Sequence, residues 1–241
     1  MTSPIPIRTE SLEVRRTAHV ASLGPEAAPG AGVRELWYVI HGYSMRAVPF
    51  LEDCRAIASP ERLIVAPEAL SRYYDGALPP DSSDPARTKA MLAHRTAAVV
   101  ASWMTRDQRD DEIRDYVNYL DDVHAMMTRR FGGATPPVTV LGFSQGGATA
   151  LRWIAMGNVR PARLVIWASS MPPELDYATD ARVRAPELTY VCGTTDQFIT
   201  PKVLDQQHQL LRAANLPFRA LSFVGGHRLD DATLKTIAAA V

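Results

Sequence analysis

The heptapeptide Leu141-Gly142-Phe143-Ser144-Gln145-Gly146-Gly147 restricts what this chain can fold into more than any other feature. An apolar strand pattern, Val138-Thr139-Val140-Leu141, runs straight into it, and a helical pattern, Ala148-Thr149-Ala150-Leu151, runs straight out. In a strand–turn–helix setting, G-x-S-x-G holds a serine on a strained elbow with its hydroxyl exposed. Small residues two before and two after the serine let strand and helix approach without clashing. The helix N-terminus beneath Ser144 favours negative charge developing there. The competing reading is an ordinary glycine-rich turn.

The remaining sequence alternates strand and helix patterns, the signature of a mainly parallel sheet covered by helices. Glu35–Ile40 is a nearly continuous apolar run, as expected of a strand buried on both faces. Further strands are expected at 12–16, 17–23, 62–66, 138–143, 163–168, 188–192 and 218–224, which makes eight, the first two short and open to antiparallel pairing. Helices are expected at 47–57, 111–130, 145–156, 201–214 and 229–240. In the second of these, Ile113, Val117, Leu120, His124 and Met127 recur on one face. Thr200 followed by Pro201 is a good N-cap with proline at the first helical position. For the last helix, Asp230 or the loop before it is the cap. The expectation is therefore one α/β domain over residues 1–241, an eight-stranded sheet with helices on both faces. Residues 71–110 interrupt the rhythm with no clear strand, a Pro/Ser/Asp-rich stretch at 79–85 and an Ala-rich helical pattern beginning at Asp84-Pro85. This insertion lies over one end of the sheet, either as a partial lid or as a surface excursion.

Composition removes several functions. Twenty-six basic and 26 acidic residues cancel, so no excess charge is available to neutralise phosphates and nucleic-acid binding is not expected. Cys54 and Cys192 lack metal or redox spacing and read as reduced core thiols. No apolar run approaches the ~20 residues that span a bilayer, so stable membrane insertion is not expected. The N-terminal residues lack the apolar core of a signal peptide, and the location expected is cytoplasmic. No HExxH, Cys/His cluster or GxGxxG calls for a metal or dinucleotide, and no cofactor is expected.

A serine hydroxyl is a weak nucleophile that needs a base, itself oriented by an acid. On a strand–elbow–helix scaffold the order along the chain is serine, acid, histidine. His208 lies within a helical pattern, whereas His227 follows the last strand and Gly225-Gly226 on a loop able to reach the sheet edge, so His227 is the candidate base. Among the intervening acids, Asp196 alone comes directly after a buried strand pattern, in Tyr190-Val191-Cys192-Gly193-Thr194-Thr195-Asp196, where open parallel sheets gather their chemistry. The oxyanion donors expected are the backbone N–H of Gln145 and that of Tyr43, in the loop His41-Gly42-Tyr43-Ser44. His41 is read as shaping that loop. Tyr43, Met45, Trp103, Met104, Met171 and Phe198 are either pocket walls or ordinary packing.

With these pieces in place, the sequence resembles the phospholipase/carboxylesterase branch of the α/β-hydrolases, the group that includes acyl-protein thioesterases. The matching segments are Ile40-His41-Gly42, Ala66-Pro67, Gly142 to Gly147, Gly193-Thr194-Thr195-Asp196 and Gly225-Gly226-His227, in family order from about residue 35 onward. The resemblance implies a Ser144–His227–Asp196 triad, an oxyanion hole of the Tyr43 and Gln145 amides, and ester hydrolysis without a cofactor. The family commonly carries HGLG where this chain has His41-Gly42-Tyr43-Ser44, which places a bulky ring near the acyl or alcohol pocket. The expected function is a serine carboxylesterase acting on small to medium-chain esters, a small-molecule substrate. An acyl thioesterase or lysophospholipase would use the same machinery. An acyltransferase and a non-catalytic hydrolase-fold binding protein are the remaining alternatives. Oligomeric state is left open by the sequence.

Overall fold

A computed structural model describes residues 5–76, 85–94 and 96–240. Seven strands form the central sheet: β1 (Val20–Leu23), β2 (Glu35–Ile40), β3 (Arg62–Pro67), β6 (Val138–Phe143), β7 (Arg163–Trp167), β8 (Glu187–Gly193) and β9 (Phe218–Phe223), in the spatial order β1-β3-β2-β6-β7-β8-β9. All neighbours run parallel except β1, which pairs antiparallel with β3 at the edge. Two short strands, β4 (Ser71–Tyr74) and β5 (Val99–Ser102), make a separate antiparallel ribbon.

The α/β fold class expected from the sequence is the one observed, with seven strands in the sheet rather than eight. The segment at 12–16 alternates apolar and polar residues but pairs with nothing. Leu12 and Val14 are 86% and 76% exposed, because the chain there runs along α3 (Arg109–Arg130) instead of along the sheet edge. The expectation of no strand in 71–110 is also corrected by β4 and β5. The Pro/Ser/Asp stretch at 79–84 and the cap at Asp84 lie outside the described residues, while α2 occupies Pro85–His94.

Helices cover both faces, as adjacent residues of β2 show, since successive side chains of a strand point to opposite sides. Tyr38 meets His124 of α3 and Trp153 of α4 (Gln145–Met156). Trp37, on the other face, lies under Arg62 and Arg163, whose guanidiniums bond carbonyls of α7 (Asp231–Ala238). The remaining helices are α1 (Ala47–Asp53), continued by a 3-10 turn at Arg55–Ile57, a short α5 (Ala181–Arg184), and α6 (Pro201–Ala213). Thr200 caps α6 and Asp230 caps α7, each side chain accepting a backbone N–H from the first turn. No helix among the described residues is long and apolar enough to cross a membrane.

The topology fixes where chemistry can occur. From β2 the chain proceeds to β3 on one side, whereas β6, β7, β8 and β9 follow one another on the other. The switch between β2 and β6 opens a crevice at their carboxyl ends, the usual ligand position in open α/β sheets.

Candidate active site

Ser144 follows β6 directly, at φ 53 and ψ −123, a backbone conformation that costs a non-glycine residue about 1–3 kcal/mol. Two close approaches impose it. A Cβ on Gly142 would lie 2.3 Å from the Gly146 carbonyl oxygen, and one on Gly146 would lie 2.1 Å from that of Ile40. Larger residues at these positions would push strand and helix apart and relax the turn. Ser144 occupies the N-cap position of α4, yet its hydroxyl makes no capping hydrogen bond. A serine there ordinarily spends its side chain on the helix; this one does not. Gln145 begins α4, so its N–H belongs to the first turn, where no intrahelical acceptor exists.

The candidate acid and base are paired. His227 Nδ1 lies 2.8 Å from Asp196 Oδ2, with the Asp196 side chain fully buried and that of His227 12% exposed. With Nδ1–H donating to the carboxylate, Nε2 is left as the acceptor. Asp196 Oδ1 accepts the backbone N–H groups of Phe198 and Ile199, both at 2.8 Å, so the carboxylate cannot rotate freely. The two loops that carry the pair touch. A Cβ on Gly193 would fall 2.4 Å from the Gly225 carbonyl oxygen, and Thr195 N–H donates to that same carbonyl at 2.9 Å. The imidazole packs against Phe143, the residue before Ser144, at 4.8 Å between ring centroids, and against the edge of Phe198 at 4.7 Å. His208 instead sits on α6 between Tyr190 and Phe218, far along the chain from this loop and used in packing.

The loop after β2 closes on the same point. A Cβ on Gly42 would lie 3.2 Å from Ser144 Cβ, so residues 41–44 border the elbow. His41 is wholly buried and uses both ring nitrogens: Nδ1 donates to the Gly42 carbonyl at 2.7 Å and Nε2 accepts the Ala69 N–H at 3.1 Å. Burial pushes its pKa down to about 4, so the ring is neutral and acts as a brace. Ser44 adopts φ 57 and its hydroxyl pairs with Tyr73 Oη at 2.6 Å. Tyr43 and Phe198, 57% and 65% exposed, form the rim, whereas Trp103 and Met171 are buried in packing.

A cavity of about 420 Å³ opens beside His227. Met45, Phe143 and Leu229 line it together with the charged Glu52, Asp53, Arg228 and Asp231, and Ser144 is not among its lining residues. A larger cavity of about 910 Å³ lies between residues 11–18 and α3 and touches none of Ser144, Asp196 or His227.

One contribution escaped sequence reasoning. The Gln145 side chain is clamped to the end of β5: its Oε1 accepts the Trp103 N–H at 3.0 Å and its Nε2 donates to the Met104 carbonyl at 2.8 Å. Nothing in the spacing of residues 102–104 and 145 signals this contact, because it depends on where an insertion docks.

A parallel sheet with one antiparallel edge, an elbow serine at the switch point and a His–carboxylate pair on the loops beyond it define an α/β-hydrolase fold. The profile of the FSH1 serine hydrolase family matches residues 38–233, and the chain belongs to that family. Among solved structures, SOBER1 from Arabidopsis thaliana is similar with a TM-score of 0.60 at 16% identity, covering 86% of this chain and 97% of its own. Acyl-protein thioesterase 2 from Zea mays gives 0.60 at 16% identity, covering 92% and 98%. A phospholipase/carboxylesterase from Dyadobacter fermentans gives 0.58 at 12% identity, covering 94% and 97%. No curated protein sequence matches this chain. The protein is a serine hydrolase by family, and at these identities the solved structures speak for the fold alone.

Proposed function

We propose that the protein is a carboxylesterase that cleaves small to medium-chain esters through Ser144, His227 and Asp196. The observation that carries this reading is the buried Asp196–His227 pair next to a serine held on a strained elbow with its hydroxyl uncommitted. Ser144 Oγ attacks the ester carbonyl carbon while His227 Nε2 takes its proton. The oxyanion formed is held by the Gln145 and Tyr43 N–H groups. Collapse of the intermediate breaks the bond to the alcohol, which leaves with the proton from His227, and an acyl group remains on Ser144. Water, deprotonated by His227, attacks that acyl carbon; the acid departs and Ser144 regains its proton. Asp196 fixes the tautomer and stabilises the imidazolium at each stage. Met45, Phe143 and Leu229 beside His227 offer apolar contact to a short aliphatic group. Thioesters fit the same sequence of steps. Two buried, unpaired cysteines support a cytoplasmic setting.

The test is hydrolysis of a p-nitrophenyl ester series from C2 to C12, with matched acyl thioesters, using wild type and Ser144→Ala. The reading requires turnover of short and medium esters that disappears in the variant. Turnover unchanged by the substitution rules out Ser144 as the nucleophile. Turnover of thioesters alone replaces the carboxylesterase reading with a thioesterase one.

A further inference from the structure

We propose that residues Ala101 to Met104, at the end of the inserted ribbon, set the spacing of the oxyanion hole, with Trp103 and the Gln145 side chain as its positioning residues. This rests on the oxyanion-hole reading above and assigns it a part played by residues outside the G-x-S-x-G motif.

The two amides that face the developing charge come from different loops, one after β2 and one after β6. Nothing in the sheet ladder fixes the distance between two such loops once the strands have ended. Four residues of the insertion do. Ala101 N–H donates to the Met45 carbonyl at 3.0 Å, and the Trp103 indole N–H donates to the His41 carbonyl at 2.9 Å. These two anchors bracket Tyr43. On the other loop, Trp103 N–H and the Met104 carbonyl hold the two ends of the Gln145 amide, and the Ser102 hydroxyl lies 3.2 Å from Gln145 Nε2. Gln145 therefore carries one amide of the pair in its backbone and its tether to the other loop in its side chain.

The clamp is dry. Ser102 and Trp103 are 1% and 2% exposed, and the indole packs on His41 with centroids 5.2 Å apart. Water cannot readily replace the buried indole bond to His41, so losing it leaves a buried acceptor unpaired and the loop free to shift. Displacement by a fraction of an ångström affects the transition state, whose oxyanion needs both donors within about 2.7–3.1 Å, far more than the ground state.

The test compares Trp103→Phe, which keeps an aromatic ring but removes the indole donor, and Gln145→Met, which keeps length but removes both amide groups. Ser102→Ala serves as the mildest variant. Rates for p-nitrophenyl butyrate are expressed per site titrated with a fluorophosphonate, so that misfolded material does not count. The expected result is a fall in kcat of about tenfold to a hundredfold for the first two variants, with KM changed by less than about threefold. Affinity for a phenylboronic acid, which forms a tetrahedral adduct at Ser144, should fall by the same factor as kcat/KM. Inhibition by the product butyrate, which makes no such demand, should stay as in wild type. If Trp103→Phe does not fold, Gln145→Met decides the matter by the same criterion. A kcat per site within about threefold of wild type in folded Trp103→Phe or Gln145→Met overturns the proposal, as does a loss confined to KM. Failure of Ser144→Ala to abolish wild-type turnover removes the functional reading itself, an outcome separable from either of these.

Discussion

The two ends of one sheet are built on opposite principles. At the amino ends of β2, β3 and β7, Glu35 joins Arg62 at 2.8 Å and Arg163 at 3.4 Å, and both guanidiniums lie over the Trp37 ring at 5.1 and 5.2 Å. The surplus positive charge faces the last carbonyls of α7, where a helix C-terminus is negative: Arg62 donates to Ala238 and Arg163 to Ile237. At the carboxyl ends lie three of the five non-glycine residues with positive φ among the described residues: Ser144 and Ala168 follow strands directly, and Ser44 sits in the loop after β2. One end is matched charge and stacked cations; the other stores backbone strain. Strain persists only where its surroundings over-determine it, and here the surroundings are the glycine contacts, the buried His41 and the docked end of β5. The contrast predicts that substitutions at the amino end cost stability and leave chemistry alone, while those at the carboxyl end cost chemistry, whether or not they also cost stability.

The largest effect should come from the candidate acid. Asp196→Asn preserves the shape of the pair but frees the imidazole to take the wrong tautomer, and kcat for ester hydrolysis should fall by roughly 10³–10⁴-fold with the melting temperature nearly unchanged. A fall below tenfold would show that Asp196 does not orient His227.

Next comes Gly146→Ala, where the added Cβ would lie 2.1 Å from the Ile40 carbonyl oxygen. It should destabilise the protein by about 3 kcal/mol or more, because backbone has to move rather than a side chain. Urea unfolding measures it, and a loss under about 1 kcal/mol would mean the elbow is not held by this contact.

Acid separates the two ends by pH. His41, with a folded pKa of about 4 against an ordinary 6.5, stays neutral when folded and takes a proton when unfolded. The unfolded chain thus binds more protons between these values, so this stabilisation is complete above pH 6.5 and is lost as pH falls toward 4. Its size is up to about 3 kcal/mol. Burial pushes His124 and His208 down too, and they add in the same direction. Burial works to raise the Glu35 carboxyl, but hydrogen bonds from Arg62 and Trp37 and the two arginine charges outweigh it and hold it below its ordinary 4.5. Its contribution is present above pH 4.5 and disappears only below. Urea midpoints between pH 7 and 3 should therefore fall first through the histidine window and again through the carboxylate window. A flat stability from pH 6.5 to 5 contradicts the buried neutral His41.

The smallest effect, and the sharpest on the comparison, is Glu35→Gln. Two arginines lose their anion in a half-dry site, and stability should drop by about 2 kcal/mol. The kcat per titrated site should remain within about twofold of wild type. A tenfold loss of kcat would show that the two ends are coupled.

What could be read in the sequence follows the same division. Strand Glu35–Ile40, strand Val138–Phe143 and helix Gln145–Met156 were legible to the residue, because continuous apolar runs buried on both faces and a glycine-marked elbow leave little freedom of register. The Asp196–His227 pair was legible from chain order and from its place after buried strands, and the structure brings the two side chains within hydrogen-bonding distance. The segment at 12–16 has strand alternation, but pairing needs a free edge within reach, and the chain meets α3 instead. The ribbon was hidden for the converse reason. Ser71–Tyr74 and Val99–Ser102 are four residues each and far apart along the chain, so neither carries a periodic signal of its own. The Gln145 clamp depends on that ribbon and was illegible with it.

The central claim is that Ser144 is the nucleophile on this elbow. Treating the protein with a fluorophosphonate and mapping the modified peptide by mass spectrometry tests it most directly. The account predicts one phosphonyl group per chain, on Ser144, with labelling absent in Ser144→Ala and strongly slowed in His227→Ala. Modification of any other residue, or equal labelling of the Ser144→Ala variant, contradicts it.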